Sequence, residues 1–178
     1  MPKQIVLLRG INLGARNRIA MPKLREALSG AGFGEVETYL QSGNVVLSSK
    51  AAPERVARKC ERLIEERFGL EIAVVARTRA QLAQVVRRNP LGEVASDPKR
   101  YQVSFLNAKP DPRVVQKLEA AVVAPEQFVA IGRELYAWHP EGVARSRLWA
   151  LLAGKDLGVK ATARNWTTVT KLLALADE

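Results

Sequence analysis

The order of apolar runs and apolar stripes in the first half of the chain restricts its fold more than any other feature. Residues 4–8 (QIVLL) form a short apolar run with two β-branched residues, which predicts a buried strand. Apolar side chains then recur at steps of three and four over residues 21–31, which predicts a helix. Two β-rich runs at 36–40 and 44–48 follow with a short connection between them, so we expect an antiparallel hairpin.

A second helix and a further strand complete this order. Pro53 marks the helix start and Gly69 its end, and residues 71–76 (EIAVVA) predict the strand. An apolar stripe of Val56, Cys60, Leu63, Ile64 and Phe68 runs along this helix. We expect Val56, Cys60, Leu63 and Ile64 to be buried and Arg58 and Arg62 to be exposed. The order β-α-β-β-α-β predicts an α+β fold of the ferredoxin-like type, a four-stranded antiparallel sheet with both helices on one face.

The second half of the chain nearly repeats this order. A linking helix at 79–88 ends before Pro90, and a strand is predicted at 101–106. A helix capped by Asp111 and Pro112, a hairpin around Gly132 and Arg133, and two further helices follow, so that a helix occupies the place of the closing strand. We therefore predict a ferredoxin-like domain at 1–76, a linking segment at 77–99 and a related β-α-β-β-α domain with extra helices at 100–178.

Charge is the unusual part of the composition. The 178 residues carry 28 Lys and Arg against 18 Asp and Glu, a net charge of +10, which favours anionic partners. One cysteine (Cys60) and one histidine (His139) leave too few ligands for a metal site, and no nucleotide-binding glycine motif is present. No apolar run is long enough for a membrane span. We expect a cytoplasmic protein with no metal, no cofactor and no membrane partner.

Three polar clusters carry the residues that a packed core does not need. The first is residues 9–14 (RGINLG) with Arg16, Asn17 and Arg18. The second is Tyr39 with residues 41–44 (QSGN) in the hairpin connection. The third runs from Thr162, expected to be a helix N-cap, through Arg164, Asn165 and Trp166 to Thr168. Arginines and turned backbone N–H groups bind phosphate or carboxylate, but turn and cap chemistry alone also explains such residues.

Several of these segments resemble those of the bacterial DUF1697 family, whose name declares an unknown function. The matching segments span nearly the whole chain: residues 7–14 (LLRGINLG), 21–24 (MPKL), 38–47 (TYLQSGNVVL), 89–90 (NP) and 162–172 (TARNWTTVTKL). The resemblance implies a small cytosolic α+β protein with a ferredoxin-like element. It implies no activity, so function must be argued from the site.

Our leading functional hypothesis is the binding of a small phosphorylated or carboxylated anion. The clusters would converge on it and supply Arg9, Asn12, Gln41, Ser42, Asn44, Arg164 and Asn165, with Arg9 close to Arg164. One alternative is an enzyme of phosphoryl or acyl transfer at the same site, in which the arginines stabilise developing charge. Another is a nucleic-acid-binding module that uses the excess positive charge.

Overall fold

The computed structural model describes all residues 1–178 and divides the chain into two units, each with its own antiparallel sheet. The first unit comprises Met1–Gln84 together with Leu172–Glu178, and the second comprises Val85–Lys171. The division falls inside the segment 77–99, which we predicted to link two domains. The last seven residues belong to the first unit, whereas the predicted second domain includes them.

The first unit follows the predicted order of elements. These are β1 (Lys3–Leu8), α1 (Met21–Gly30), β2 (Gly34–Tyr39), β3 (Asn44–Ser48), α2 (Pro53–Phe68) and β4 (Val74–Thr78). All strand pairs are antiparallel and the strand order is β2-β3-β1-β4, so the strands predicted at 4–8 and 44–48 share one sheet. Strand β4 begins three residues later than predicted because its pairing with β1 runs from Val74 to Thr78.

Both α1 and α2 pack on one face of this sheet. Alternate residues of the central strands, such as Val6 and Leu8 of β1, are buried in one cluster with Leu24 of α1 and Ile64 of α2. Helix α2 buries Val56, Ala57, Cys60 and Ile64 and exposes Arg58 and Arg62, as its periodicity predicts apart from Ala57. Leu63 is only partly buried, which corrects our prediction.

The position of Leu63 follows from the phase of α2. At about 100° per residue, the four buried residues occupy one arc of the helix that is centred between Cys60 and Ile64, with Val56 and Ala57 at its two edges. Leu63 lies just outside that arc, on the side of Val56. An apolar stripe therefore gave the correct face of the helix and placed its centre slightly too far towards Leu63.

The second unit contains its own antiparallel sheet. Its elements, including two helices that cross the unit division, are α3 (Arg79–Arg88), a 3-10 turn (Pro98–Arg100), β5 (Tyr101–Leu106), α4 (Pro112–Ala120), β6 (Gln127–Ile131), β7 (Glu134–Trp138), α5 (Arg147–Leu152), β8 (Ala161–Asn165) and α6 (Trp166–Ala176). The strand order is β6-β7-β5-β8. The hairpin at Gly132 and Arg133 and the cap at Asp111 are confirmed, since the Asp111 carboxylate accepts from Arg113 N at 2.8 Å.

Strand β8 corrects the prediction that a helix replaces the closing strand. Its five residues pair with β5, Ala161 opposite Leu106 and Asn165 opposite Gln102. Thr162 is consequently a strand residue, and its predicted role as a helix N-cap is wrong. The strand was missed because its polar residues show no apolar alternation and its pairing partner lies about sixty positions earlier in the chain.

The centres of the two sheets correspond residue by residue. Ile5 of β1 pairs with Arg77 of β4, and Val103 of β5 pairs with Arg164 of β8. Both arginines are buried, and each donates from Nη1 to the carbonyl of the alanine before it, at 3.0 Å for Arg77 and 2.8 Å for Arg164. The second unit therefore repeats the register of the first, although the two sequences show no clear repeat.

The helices are short, from six residues in α5 to sixteen in α2. Gly69 ends α2 as predicted, with φ of 68° and its N–H donating to Glu65 O at 2.9 Å. None of the helices combines the length and the apolar character that crossing a bilayer requires.

Candidate functional site

The first two predicted clusters meet in the first unit. The loop of residues 9–19 follows β1, and the turn of residues 40–43 joins β2 to β3. The Asn12 side chain joins them: its Nδ2 donates to Gln41 O at 2.7 Å and to Ile19 O at 2.9 Å. Its Oδ1 accepts from Ile19 N at 2.9 Å. We call the surface formed by residues 9–19 and 40–43 the loop–turn surface.

The backbone of the loop is unusual for so short a segment. Gly10, Asn12, Gly14 and Asn17 all have positive φ, between 52° and 80°. Interspersed left-handed residues turn backbone N–H groups to one side and occur in anion-binding nests. Asn12 and Asn17 tolerate this conformation better than other non-glycine residues, which explains their presence here.

Positive charge is concentrated along the same segment. Residues 9–25 contain five basic side chains and no Asp or Glu: Arg9, Arg16, Arg18, Lys23 and Arg25. Arg16 and Arg18 are exposed, and Arg18 donates from Nη1 to Gly14 O at 3.0 Å. Arg9 is half-buried at the end of β1, and its N–H donates to Ala73 O at 2.9 Å. The loop therefore presents cations to solvent without neighbouring carboxylates in the sequence.

The turn is built around Asn44 and Gly43. The buried Asn44 amide donates from Nδ2 to Tyr39 O and to Ser42 Oγ, both at 3.0 Å. Gly43 has φ of 89°, and a Cβ there would lie 2.7 Å from Leu8 Cβ, so only glycine fits. Gln41 and Ser42 are exposed. These contacts make Asn44 a support of the turn and leave Gln41 and Ser42 on its outer side.

The third predicted cluster lies at the end of β8 in the second unit. Asn165 is the residue that caps α6, because its Oδ1 accepts from Thr168 N at 2.9 Å. Trp166 stacks on Tyr101, with ring centroids 4.7 Å apart and 14° between the planes. Asn165 thus has the capping role that we had assigned to Thr162.

Arg164 differs from the arginines of the loop because it is buried. Its Nη1 donates to Thr162 Oγ1 at 2.6 Å and to Ala163 O at 2.8 Å. Burial lowers the pKa of its guanidinium to about 10, since the charged form loses solvation. Arg164 and Asn165 belong to a different unit from Arg9, and their convergence with it stays a prediction.

A further polar cluster was missed by the sequence analysis. His139 follows β7 and is fully buried, with Nδ1 2.7 Å from Glu126 Oε2. Ser146 Oγ donates to the same carboxylate oxygen at 2.6 Å and accepts from Trp149 N at 3.0 Å, at the start of α5. Ser146 stands just before an apolar run, so its capping position was the available signal. Glu126 and His139 showed no signal in the sequence, because they are thirteen positions apart and only the fold brings them together.

The hydrogen-bond arrangement of the cluster of Glu126, His139 and Ser146 differs from that of a hydrolase triad. In a triad the serine hydroxyl meets the imidazole Nε2 while the carboxylate holds Nδ1. Here serine and histidine both meet the Glu126 carboxylate, and Ser146 Oγ is 3.5 Å from His139 Nδ1. The adjoining cavity of about 200 Å³ is smaller than most ligand pockets. The hydrogen bonds of the cluster join three loop ends, one before β6, one after β7 and one at the start of α5.

Comparison with known proteins agrees with the resemblance noted in the sequence. The model of the DUF1697 family, described as a protein of unknown function, matches residues 1–136, three quarters of the chain and all of the first unit before its C-terminal segment. The chain belongs to the DUF1697 family. No curated protein matches it.

A solved structure shares the fold of this DUF1697 protein. It is described as the structure of conserved bacterial protein SP0830 from Streptococcus pneumoniae. The two chains are 20% identical, with a TM-score of 0.77 over 98% of each. At this identity the similarity establishes the α+β fold with its two four-stranded antiparallel sheets and six helices, and says nothing of activity.

Proposed function

We propose that this DUF1697 protein binds a small phosphorylated or carboxylated anion on the loop–turn surface. The observation that carries the proposal is the set of three arginines, Arg9, Arg16 and Arg18, in a loop whose backbone is held in left-handed turns. Two further basic residues follow at the start of α1, and residues 9–25 contain no acidic side chain. Arginine forks and backbone N–H groups bind phosphate and carboxylate oxygens well.

The contacts divide the predicted residues by role. Arg9, Arg16 and Arg18 would supply charge, and Gln41 and Ser42 would supply donors from the exposed side of the turn. The side-chain Nδ2 atoms of Asn12 and Asn44 each donate two hydrogen bonds to oxygen atoms of the protein. We therefore assign these two residues the role of positioning the loop and the turn. We leave Arg164 and Asn165 outside the proposal because Arg164 is buried and Asn165 caps α6.

Binding is preferred to catalysis because the loop and the turn carry no carboxylate and no imidazole of their own. Residues 9–25 and 38–53 contain no Asp, Glu or His. General acid–base chemistry of phosphoryl or acyl transfer needs such a group within hydrogen-bond reach of the reacting atoms. The electrostatic part of transition-state stabilisation alone would be available here.

We also propose that each unit is a ferredoxin-like domain. The support is the β-α-β-β-α-β order of the first unit and the strand orders β2-β3-β1-β4 and β6-β7-β5-β8, in which the first strand of each unit lies between its third and fourth. In both units the loop after the first strand and the connection of the hairpin then lie at the same end of the sheet.

A titration calorimetry experiment tests the binding proposal. Phosphate, sulfate, mononucleotides and a single-stranded oligonucleotide are titrated into the protein and into Arg16→Ala/Arg18→Ala. The matched control is Arg58→Ala/Arg62→Ala, which removes the same charge from the exposed side of α2. We expect saturable binding of a small anion that weakens with salt and falls about tenfold or more in the loop variant alone.

Two outcomes would contradict the proposal. If no small anion gives a saturable signal, the loop arginines are surface charge only. If both double variants lose the same affinity, the attraction comes from net charge and no specific surface is involved. An oligonucleotide that binds far more tightly than any mononucleotide would favour the nucleic-acid alternative.

A further inference from the structure

The loop–turn surface carries exposed apolar side chains beside its arginines. Leu13 is 72% exposed and Leu40 is 57% exposed, and they are the chain's two exposed leucines. Leu13 follows Asn12 in the chain and Leu40 precedes Gln41, and a hydrogen bond from Asn12 Nδ2 to Gln41 O joins these two residues. Leu13 also pairs with Arg16 in an isolated antiparallel bridge. Apolar and cationic side chains are therefore interleaved on one surface.

The conformation of Leu40 makes its exposure harder to explain by folding. Its φ is 59°, a left-handed conformation that glycine and asparagine adopt at lower cost than leucine. A buried leucine could offset this strain by packing, but Leu40 points largely into solvent. The side chain therefore adds little to the stability of the turn.

We infer that the loop–turn surface docks the protein on an anionic lipid bilayer. Leu13 and Leu40 lie in a loop and a turn, and such projecting side chains can enter the boundary between headgroups and acyl chains. Arg16 and Arg18 are exposed on the same surface, and Lys23 is exposed nearby in the sequence at the start of α1; their positive charge matches the negative charge of lipid headgroups. A bilayer as partner differs from our sequence-based expectation, which was that the protein has no membrane partner.

A bilayer suits this surface better than an acidic peptide does. An amphipathic peptide is bound in a groove that covers its apolar side chains. Here the apolar side chains themselves are exposed, and a Cβ added at Gly10 or Gly14 would meet no atom within 4 Å, so the loop backbone is open to solvent there. Two leucines give only a weak anchor, and the arginines supply the second signal that stable attachment needs.

The inference rests on the proposed function, since the same arginines would meet lipid phosphates, and the test separates the two. Vesicles of phosphatidylcholine alone and of phosphatidylcholine mixed with phosphatidylserine are sedimented with the protein. The test variant is Leu13→Ser/Leu40→Asn, in which asparagine suits the left-handed position. The control is Val123→Ser, an exposed apolar residue of the second unit. Circular dichroism checks the fold of each variant.

We expect the protein to sediment with the anionic vesicles and to ignore the neutral ones. The leucine variant should partition about tenfold more weakly, because its apolar contribution is lost, while Val123→Ser behaves as the parent. Phosphate affinity measured by calorimetry should be the same in the leucine variant and the parent, since both leucines are apolar.

Three results would overturn the inference. The first is no vesicle binding while phosphate still binds, which removes the membrane and keeps the proposed function. The second is vesicle binding that the leucine variant retains in full, which makes it purely electrostatic. The third is that poly-glutamate displaces the protein from vesicles and also binds the leucine variant as tightly as the parent. That result would assign the surface to acidic chains. If the parent protein binds neither phosphate nor anionic vesicles, the proposed function is refuted as well.

Discussion

Asn12 can be tested as the residue that unites the loop and the turn. Replacing Asn12 with glycine keeps the left-handed backbone and removes only the side chain. Asn17→Gly is the matched control, because Asn17 has a similar φ of 52° and its one side-chain contact is a donor bond to Gly10 O at 3.3 Å.

The expected loss follows from the hydrogen bonds of Asn12. Three bonds of 2.7 to 2.9 Å disappear, two of them partly buried. At about 0.5–1.5 kcal/mol each, with the lower values for exposed groups, the variant should lose about 1.5–3 kcal/mol of unfolding free energy. The long, exposed bond of Asn17 should cost no more than about 0.5 kcal/mol. Both variants share the entropy cost of a new glycine, so their difference isolates the hydrogen bonds.

Two measurements check this reasoning. Urea unfolding gives the difference in stability between the two variants, and amide hydrogen exchange gives the local effect at Ile19, whose N–H donates to Asn12 Oδ1. We expect faster exchange at Ile19 in Asn12→Gly and parent-like exchange there in Asn17→Gly. Equal urea midpoints for the two variants, or unchanged exchange at Ile19, would refute the assigned role.

Other predictions concern the core and the buried polar groups. Ile64→Ala should cost about 2–5 kcal/mol by leaving a cavity, and Leu63→Ala clearly less, as measured by thermal and urea unfolding; equal losses would contradict the helix phase. Burial raises the pKa of Cys60 from 9.0 to about 12. The Cys60 thiol therefore leaves the free energy of unfolding unchanged below pH 9 and lowers it by up to about 1.4 kcal/mol per pH unit as the pH rises towards the folded pKa. In unfolding curves at increasing pH, Cys60→Ala should decline less steeply than the parent. Glu126→Ala leaves the polar groups around His139 without their acceptor and should cost about 1–3 kcal/mol, and Glu126→Gln, which keeps an acceptor oxygen, less. A parent-like melting temperature for Glu126→Ala would show that this cluster does not hold the loop ends.

Local signals were sufficient for most of the fold. Apolar periodicity, Pro53 and Gly69 at the ends of α2, and the short connection between β2 and β3 all act over a few residues, and each element they predicted is present. Strand β8 was not predictable in this way. Its Arg164 and Asn165 become strand residues only because β5 offers a free edge for pairing, which is a property of the assembled sheet.

The site was predictable in composition and less so in geometry. The sequence indicated Arg9, Asn12 and the turn as a group, and the fold brings Asn12 to Gln41 across 29 positions. The sequence did not indicate that the Asn12 side chain donates to backbone carbonyl groups, because the partner of a hydrogen bond depends on the folded backbone. The exposure of Leu13 and Leu40 was equally hidden, since leucine normally suggests burial.

The contribution of Leu172–Glu178 to the first unit has a consequence for biosynthesis. Arg79 meets Asp177 at 2.5 Å, and Lys3 donates to Glu178 O at 2.8 Å. A ribosome makes residues 172–178 after all of the second unit, so the unit begun first acquires its last contacts only after the other has been synthesised.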